Sequence, residues 1–258
     1  MFAKERQDAI FEMLQKTGAV TTAGLVEYFD VSIETIRRDL LTMEQNERLT
    51  RVHGGAVSKN GMKPFKELKE RNKEFGEQKH ALSLKAAEFI SEGDFIGIDS
   101  GSTAISFAEV LKQKFSRLTV VTHSMDVFAL LSRHKDFTVI LCGGHYLSEE
   151  NAFYGELTLQ MLNSLHLQKV FVFPSAVSLK HGLYDYQKDL YQIQKQLMRV
   201  ADEVYILADS SKFEKTGLLK LGDVQQEHIY ITDDSLPDEI VQLYQENHIR
   251  ICTGGRKK

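Results

Sequence analysis

The apolar positions of the chain follow two different rhythms. Over the first 57 residues they recur at helical spacing: Ile10, Phe11, Met13 and Leu14 form a stripe within residues 4–16 that stops before Gly18. A short VTT follows, with Thr22 a candidate N-cap for a helix over residues 23–29 that breaks at Asp30. Ser32 is the candidate cap of a third helix. From Ile33, the apolar residues Ile36, Leu40 and Met43 recur at intervals of three, four and three, which buries one face and carries the helix to about Gln45 or Asn46. The run RLTRVHGGAV (48–57) alternates and then turns at Gly54-Gly55, as a β-hairpin does. Three short helices, the last two joined by a tight turn, followed by a hairpin, predict a winged helix-turn-helix.

Residues 58–79 are rich in Lys and Glu, with Gly61 and Pro64 near their start, and read as a solvated, partly helical connector. Beyond it the rhythm changes. Short β-branched runs, FIGI (95–98), LTVVT (118–122), FTVILC (137–142), KVFVF (169–173), VYILA (204–208), HIYIT (228–232) and IRIC (249–252), alternate with amphipathic segments such as ISFAEVLKQ and PDEIVQLYQEN. Near-continuous apolar strands separated by helices predict an α/β fold, a doubly wound, mostly parallel sheet covered on both faces. The expected organisation is therefore a small domain over 1–57, a connector over 58–79 and a larger α/β domain over 80–258.

Composition narrows the function classes. With 42% hydrophobic and 26% charged residues among 258, the chain can bury a core and is not a disordered tail. The start, MFAKERQDAI, has no apolar leader core, and no uninterrupted apolar stretch nears the roughly 18 residues of a membrane span, so a cytoplasmic protein with no membrane contact is expected. Cys142 and Cys252 stand far apart without CxxC spacing and read as reduced thiols. The nine histidines show no HxxxH or HxxC pairing, so neither a metal site nor a cofactor is expected. A net charge of −4 does not exclude nucleic acid, because a small basic face can sit inside an acidic total.

Such a face exists on the third helix. At about 100° per residue, with Ile33, Ile36, Leu40 and Met43 inward, Arg38 points almost straight out between Glu34, Thr35 and Thr42, and Arg37 and Asp39 lie on the shoulders. On an isolated helix this would be a solvated surface with a Glu34 to Arg38 pair. After a tight turn and before a hairpin, it is the face that such a motif offers to a DNA major groove. Ser32 and Thr35 then meet phosphate or base edges, Arg38 reaches guanine acceptors and Arg37 a phosphate. Arg51 and His53 on the hairpin follow the flanking backbone, where Gly54 and Gly55 allow a tight turn close to phosphate.

The second candidate is FIGIDSGSTAISFAEVL, an apolar strand, a turn of small residues and a helix. Free amides at the helix start, with Gly101 permitting close approach, suit a phosphate. The segment lacks GxxxxGK[ST], which argues against nucleotide triphosphate hydrolysis. Other strands end in THS (122–124), CGGHYL (142–147) and ADSSKF (208–213). In a parallel sheet all these ends share one edge, where ligands bind, and Lys212 is the cation to complete a phosphate pocket.

The run TTAGLVEYFDVSIETIRRDLLTMEQNERLTRVHGGAV, above all TIRRDL (35–40) and RVHGGA (51–56), strongly resembles the N-terminal signature of DeoR-family transcriptional regulators. It departs from the family pattern at Asn46-Glu47, where a glycine usually ends the recognition helix; Asn46 is the candidate left-handed cap. The resemblance continues to near the C-terminus. It implies a sensor domain similar in fold to ribose-5-phosphate isomerase and the coenzyme A transferases, with DSGST (Asp99, Ser100, Gly101, Ser102, Thr103), Gly143-Gly144 and the DSSK ending in Lys212 as ligand-binding positions, to which the strand end THS adds Ser124. A phosphorylated sugar is the implied effector and double-stranded operator DNA the implied partner. After the fourth strand this chain has FPSAVSLKHGLYDYQKDL, with Pro174 where members carry another residue.

The leading expectation is a repressor of a carbohydrate-utilisation operon released by a sugar phosphate, acting as a homodimer or homotetramer because one small domain buries too little DNA surface for tight binding. A sugar-phosphate isomerase with an appended DNA-binding module is the alternative, since fold does not carry function. Glu149, Glu150, Glu156 and Asp185 are its candidate bases. An activator, or a regulator answering an unphosphorylated ligand, keeps the same DNA-binding half.

Overall fold

The computed structural model describes every residue except Met1, Gly18, Glu47, His53, 59–66 and 255–258. The chain splits into two compact units, Met1–Lys66 with Lys215–Leu218, and Glu67–Glu214 with Leu219–Lys258.

The smaller unit runs α1 (Ala3–Thr17), β1 (Ala19–Thr21), α2 (Thr22–Phe29), α3 (Ile33–Gln45), β2 (Leu49–Val52) and β3 (Gly55–Ser58). Its core joins Ile10 and Leu14 of α1, Leu25 of α2, and Ile36, Leu40 and Met43 of α3 to Leu49 and Ala56 of the hairpin. Three details differ from the sequence reading. The N-cap of α2 is Thr21 rather than Thr22: its Oγ1 accepts from Gly24 N at 3.1 Å. Asn46 is not left-handed (φ −84°, ψ 12°), since its N–H reaches Thr42 O and closes the last turn of α3. Ile33 is 49% exposed rather than inward, because the first residue of α3 precedes the turn that packs on the core. Between α2 and α3 the chain turns at Asp30, in the left-handed region (φ 51°) that short polar side chains tolerate best. In the wing, Gly54 (φ 87°) makes the turn, whereas Gly55 is required by packing: a Cβ there would lie 2.1 Å from Val20 O of β1.

In the larger unit the order is α4 (Leu68–Arg71), α5 (Gly76–Ala86), β4 (Phe95–Ile98), α6 (Ser102–Lys114), β5 (Thr119–Thr122), α7 (Met125–Leu131), β6 (Thr138–Leu141), β7 (His145–Leu147), β8 (Ala152–Tyr154), α8 (Glu156–Asn163) and β9 (Leu167–Val172). It continues with β10 (Ala176–Ser178), β11 (Gly182–Asp185), α9 (Lys188–Arg199), β12 (Ala201–Leu207), β13 (Leu219–Gly222), β14 (Ile229–Asp233), α10 (Asp238–Glu246) and β15 (Arg250–Gly254). All seven strand runs read from the sequence enter one parallel sheet of order β15-β14-β12-β9-β4-β5-β6.

Alternate residues of each strand serve opposite faces. Ile96, Ile98, Val120, Phe171, Tyr205 and Ile231 meet Leu82 of α5, Phe107 and Leu111 of α6 and Leu131 of α7. Val121, Val170, Val172, Ile206 and Tyr230 meet Leu162 of α8, Ile193 and Leu197 of α9 and Tyr244 of α10. This is a doubly wound α/β domain. Two smaller antiparallel pieces, the hairpin β7-β8 and the sheet β10-β11-β13, were not among the strands read from the sequence. Starting from β4 in the middle, the chain builds outward through β5 and β6, then returns to place β9 on the other side of β4 and builds outward again. The switch point, with its crevice at the carboxyl ends of the strands, therefore lies between β4 and β9.

Candidate functional site

The loop after β4 opens that crevice. Asp99 N donates to Phe171 O on β9 at 3.1 Å, and Gly101 (φ 116°, ψ 176°) adopts a conformation that only glycine takes without strain. Gly101 caps α6 with no side-chain hydrogen bond, so the amides at the start of this 13-residue helix face the crevice, beside Ser102 and Thr103. Among the described residues, a Cβ on Gly101 would meet a single heavy atom within 4 Å outside its chain neighbours, Arg71 Nη1 at 3.7 Å.

Cations gather at this point. Lys79 of α5 is buried (5% exposed) and donates to the carbonyls of Arg71 and, at 2.7 Å, of Glu74. Burial pushes its ammonium down to about 8; the Asp209 carboxylate opposes this, and the neighbouring Lys212 and Arg71 charges add to it. Lys212 ends the turn after β12, and among the described residues no carboxylate pairs with its ammonium. Asp209 holds that turn by accepting from Ser211 N at 3.0 Å and from the Ser211 hydroxyl. Lys79 is thus bonded to the Arg71 backbone and lies within the electrostatic reach of Asp209 and Lys212 of the DSSK turn. Arg71 and Lys79 escaped the sequence reading because both lie in the stretch taken as connector.

The remaining sequence candidates divide. Asp99 is fully buried and committed: its carboxylate meets His123 Nε2 at 3.0 Å, Gln194 Nε2 at 3.0 Å and Phe173 N at 3.3 Å. His123 Nδ1 faces Phe153 O at 2.8 Å and, since a carbonyl only accepts, must donate there. Gln194 Nε2 also reaches Asp185 Oδ2 at 2.8 Å, while Gln194 Oε1 has no partner among the described residues. Burial pushes the Asp185 carboxyl up; hydrogen bonds from Gln194 and from the Gln187 and Tyr186 amides oppose it. Ser100 is buried next to Asp99. Ser124 is spent as the N-cap of α7, accepting from Val127 N at 3.3 Å. Gly143 and Gly144, after β6, make the bed for the β7-β8 hairpin: Thr158 Oγ1 donates to Gly143 O at 3.0 Å, and a Cβ on Gly144 would strike Thr158 Oγ1 and Tyr154 O at 2.3 and 2.5 Å.

In the smaller unit, Ser32 caps α3, accepting from Thr35 N at 3.2 Å, and its hydroxyl lies 2.9 Å from that of Thr35. Arg37 and Arg38 are both exposed on α3. Glu34 pairs with Arg37, at 3.6 Å, and not with Arg38, for which no ion pair exists among the described residues. Arg51 on β2 is exposed, with its backbone N–H fixed by Glu44 at 2.7 Å. His53, expected beside it, lies outside the described residues. Asp39 is not on an exposed shoulder: it is 4% exposed and bridges to Arg6 of α1 at 2.5 Å, with Gln7 Nε2 donating to its second oxygen at 3.0 Å. The aspartate of TIRRDL therefore locks α3 to α1.

A model of the DeoR-like helix-turn-helix domain matches residues 6–61, and a model of the DeoR C terminal sensor domain matches residues 74–234. The chain belongs to the DeoR family. Its two matched regions make it a transcriptional regulator with a helix-turn-helix domain and a sensor domain. Among similar curated DeoR-family proteins, an L-fucose operon activator of Haemophilus influenzae is 32% identical over 94% of this chain and 96% of its own, and a lactose phosphotransferase system repressor of Streptococcus mutans is 34% identical over 94% and 97%. Among solved structures, ribose 5 phosphate isomerase A from Neisseria gonorrhoeae aligns at 22% identity over 54% of this chain and 53% of that one, with a TM-score of 0.40. Among the described residues, no helix is long and apolar enough to cross a membrane.

Proposed function

We propose that this DeoR-family regulator represses a carbohydrate-utilisation operon in the cytoplasm, without catalytic activity, and is released when a phosphorylated sugar seats its phosphate on the start of α6. What supports the effector reading is Arg71 Nη1 beside Gly101 at the switch point of the sheet, with the Arg71 and Lys212 charges both near enough to Lys79 to push its ammonium down. Uncapped amides with a guanidinium beside the glycine that leads into them suit a compact dianion. Two of the four candidate bases of the isomerase reading, Asp185 and Glu150, are held by protein donors, as is Asp99, which favours binding over turnover. On the DNA side, Ser32, Thr35, Arg37, Arg38, Arg51 and Gly54 form the reading surface, presented in two copies by a homodimer or four by a homotetramer.

The test is a panel of sugar phosphates, assayed in parallel for turnover and for release of the operator. A member that releases the operator without being turned over is the expected result; turnover would move the chain to the isomerase reading. Lys212→Met removes the cation and keeps much of the stem, so the variant should bind operator normally yet require about 10-fold or more effector for release. Equal induction of variant and wild type would place the phosphate elsewhere.

A pH signature accompanies this pocket. Lys79 is charged below about 8 and neutral above, so affinity for sulfate, a dianion throughout the range, should fall as pH rises through about 8. The sign for folding is opposite. The folded state disfavours the charged ammonium, so this penalty is present below about 8 and is relieved as pH climbs toward the ordinary value of 10.5. Calorimetric titration with sulfate from about pH 7 to about pH 9.5 reads the first effect, and a flat profile would remove Lys79 from the pocket.

A further inference from the structure

The Arg71 guanidinium faces two ways. Its Nη2 is held by both oxygens of Glu150, a carboxylate only 3% exposed just before β8, which Gln187 Nε2 also reaches at 3.4 Å. Its Nη1 stands at the mouth of the α6 cradle, among the described residues the one heavy atom outside the chain neighbours near the place a Gly101 Cβ would occupy. The guanidinium side chain is itself 17% exposed and that of Glu150 4%. We propose that Glu150 is the resident counter-anion of Arg71, which the effector's phosphate must displace, so that the Arg71–Glu150 pair selects ligands bearing a compact dianion against neutral sugars. This rests on reading the α6 cradle as the phosphate site.

The chemistry follows from what each group can offer. A guanidinium away from water needs an oxyanion with two oxygens in its plane, which a carboxylate or a phosphate supplies and a sugar hydroxyl does not. A neutral ligand that drew Arg71 out of the pair would leave two buried charges uncompensated. A phosphate on the α6 amides instead presents its other oxygens to Arg71 Nη1 and repels Glu150 as it arrives. Glu150 is suited to be released. Burial pushes its carboxyl up, Arg71 is the main influence holding it down, Gln187 adds a hydrogen bond, and the Asp185 charge works in the upward direction. Once Arg71 turns to the phosphate, the surroundings favour a neutral, protonated Glu150.

The experiment is a double-mutant cycle on the full chain, titrating inorganic phosphate by calorimetry into wild type, Glu150→Gln, Arg71→Met and the double variant, with Lys212→Met alongside. Gln keeps the shape and the hydrogen bond to Gln187 but cannot act as a counter-anion. Glu150→Gln should bind phosphate about 10-fold tighter than wild type, and Arg71→Met about 10-fold weaker. In the Arg71→Met background the Glu150→Gln gain should vanish, because Glu150 competes only through that guanidinium. Thermal melting of each variant reports folding, and the comparison of Arg71→Met with the double variant reads the same exchange without a buried unpaired guanidinium. If Lys212→Met weakens phosphate while Glu150→Gln binds like wild type, the phosphate site stands and the exchange is overturned. A gain that persists without Arg71 makes Glu150 a general repulsive charge and also overturns it. If no form binds phosphate, the cradle reading and this proposal fall together.

Discussion

Asp39→Ala should destabilise the DNA-binding unit by about 3–5 kcal/mol, the largest effect expected of any single substitution in it. The carboxylate is buried on α3, 33 positions from the arginine it meets, and truncation takes from a buried guanidinium the anion at 2.5 Å and from Gln7 its acceptor. A small unit has a total stability of only about 5 kcal/mol or somewhat more, so the variant should be largely unfolded there near its growth temperature and should lose operator binding with the fold. Asp39→Asn retains an acceptor for Gln7 and should fall between the two. Chemical denaturation followed by circular dichroism, together with operator titration, measures both consequences. An alanine variant that denatures like wild type would mean that the Arg6–Asp39 pair is worth no more than well-packed apolar neighbours.

Arg38→Ala should lower affinity for the cognate operator by about 1–3 kcal/mol and leave stability unchanged. Its side chain is exposed on α3 and makes no ion pair among the described residues, so the folded unit loses nothing when it is truncated. The loss should be concentrated at one base position, with discrimination relaxed there, whereas Arg37→Ala should weaken all sequences alike and flatten the salt dependence. Gel-shift titrations against the operator and its single-base variants distinguish the two. Unchanged affinity of Arg38→Ala would move the reading surface off this helix.

The contrast between Arg38 and Asp39, adjacent in the chain, shows what periodicity can carry. The stripe of Ile36, Leu40 and Met43 is strong enough to orient α3 and to place Arg38 outward, because apolar burial acts at every turn. It puts Asp39 on a shoulder, and nothing local reveals that Arg6 waits across it. Ile33 fails for the opposite reason: it keeps the period but sits on the first residue of the helix, beyond the core. In the larger unit all seven parallel strands were legible as β-branched runs, since strands covered on both faces must be apolar throughout. The β7-β8 hairpin and the β10-β11-β13 sheet were not, because strands of three or four residues carry too few positions to show a pattern.

By itself the sequence determined the class of each half, the seven strands of the parallel sheet, the outward face of α3, and the glycine turn at the start of α6, because each follows from residues within a few positions of one another. Tertiary structure alone decided the strand order that puts the crevice between β4 and β9, and which charges meet there. Arg71 and Glu150 are 79 positions apart and Gln194 and Asp99 are 95, while the hydroxyl of Ser124 accepts from α7 and Gly144 packs closely on Thr158 and Tyr154. Such pairings depend on loop closures whose free-energy cost grows only slowly with separation, so sequence distance sets almost no preference among partners, and the packing of the sheet does.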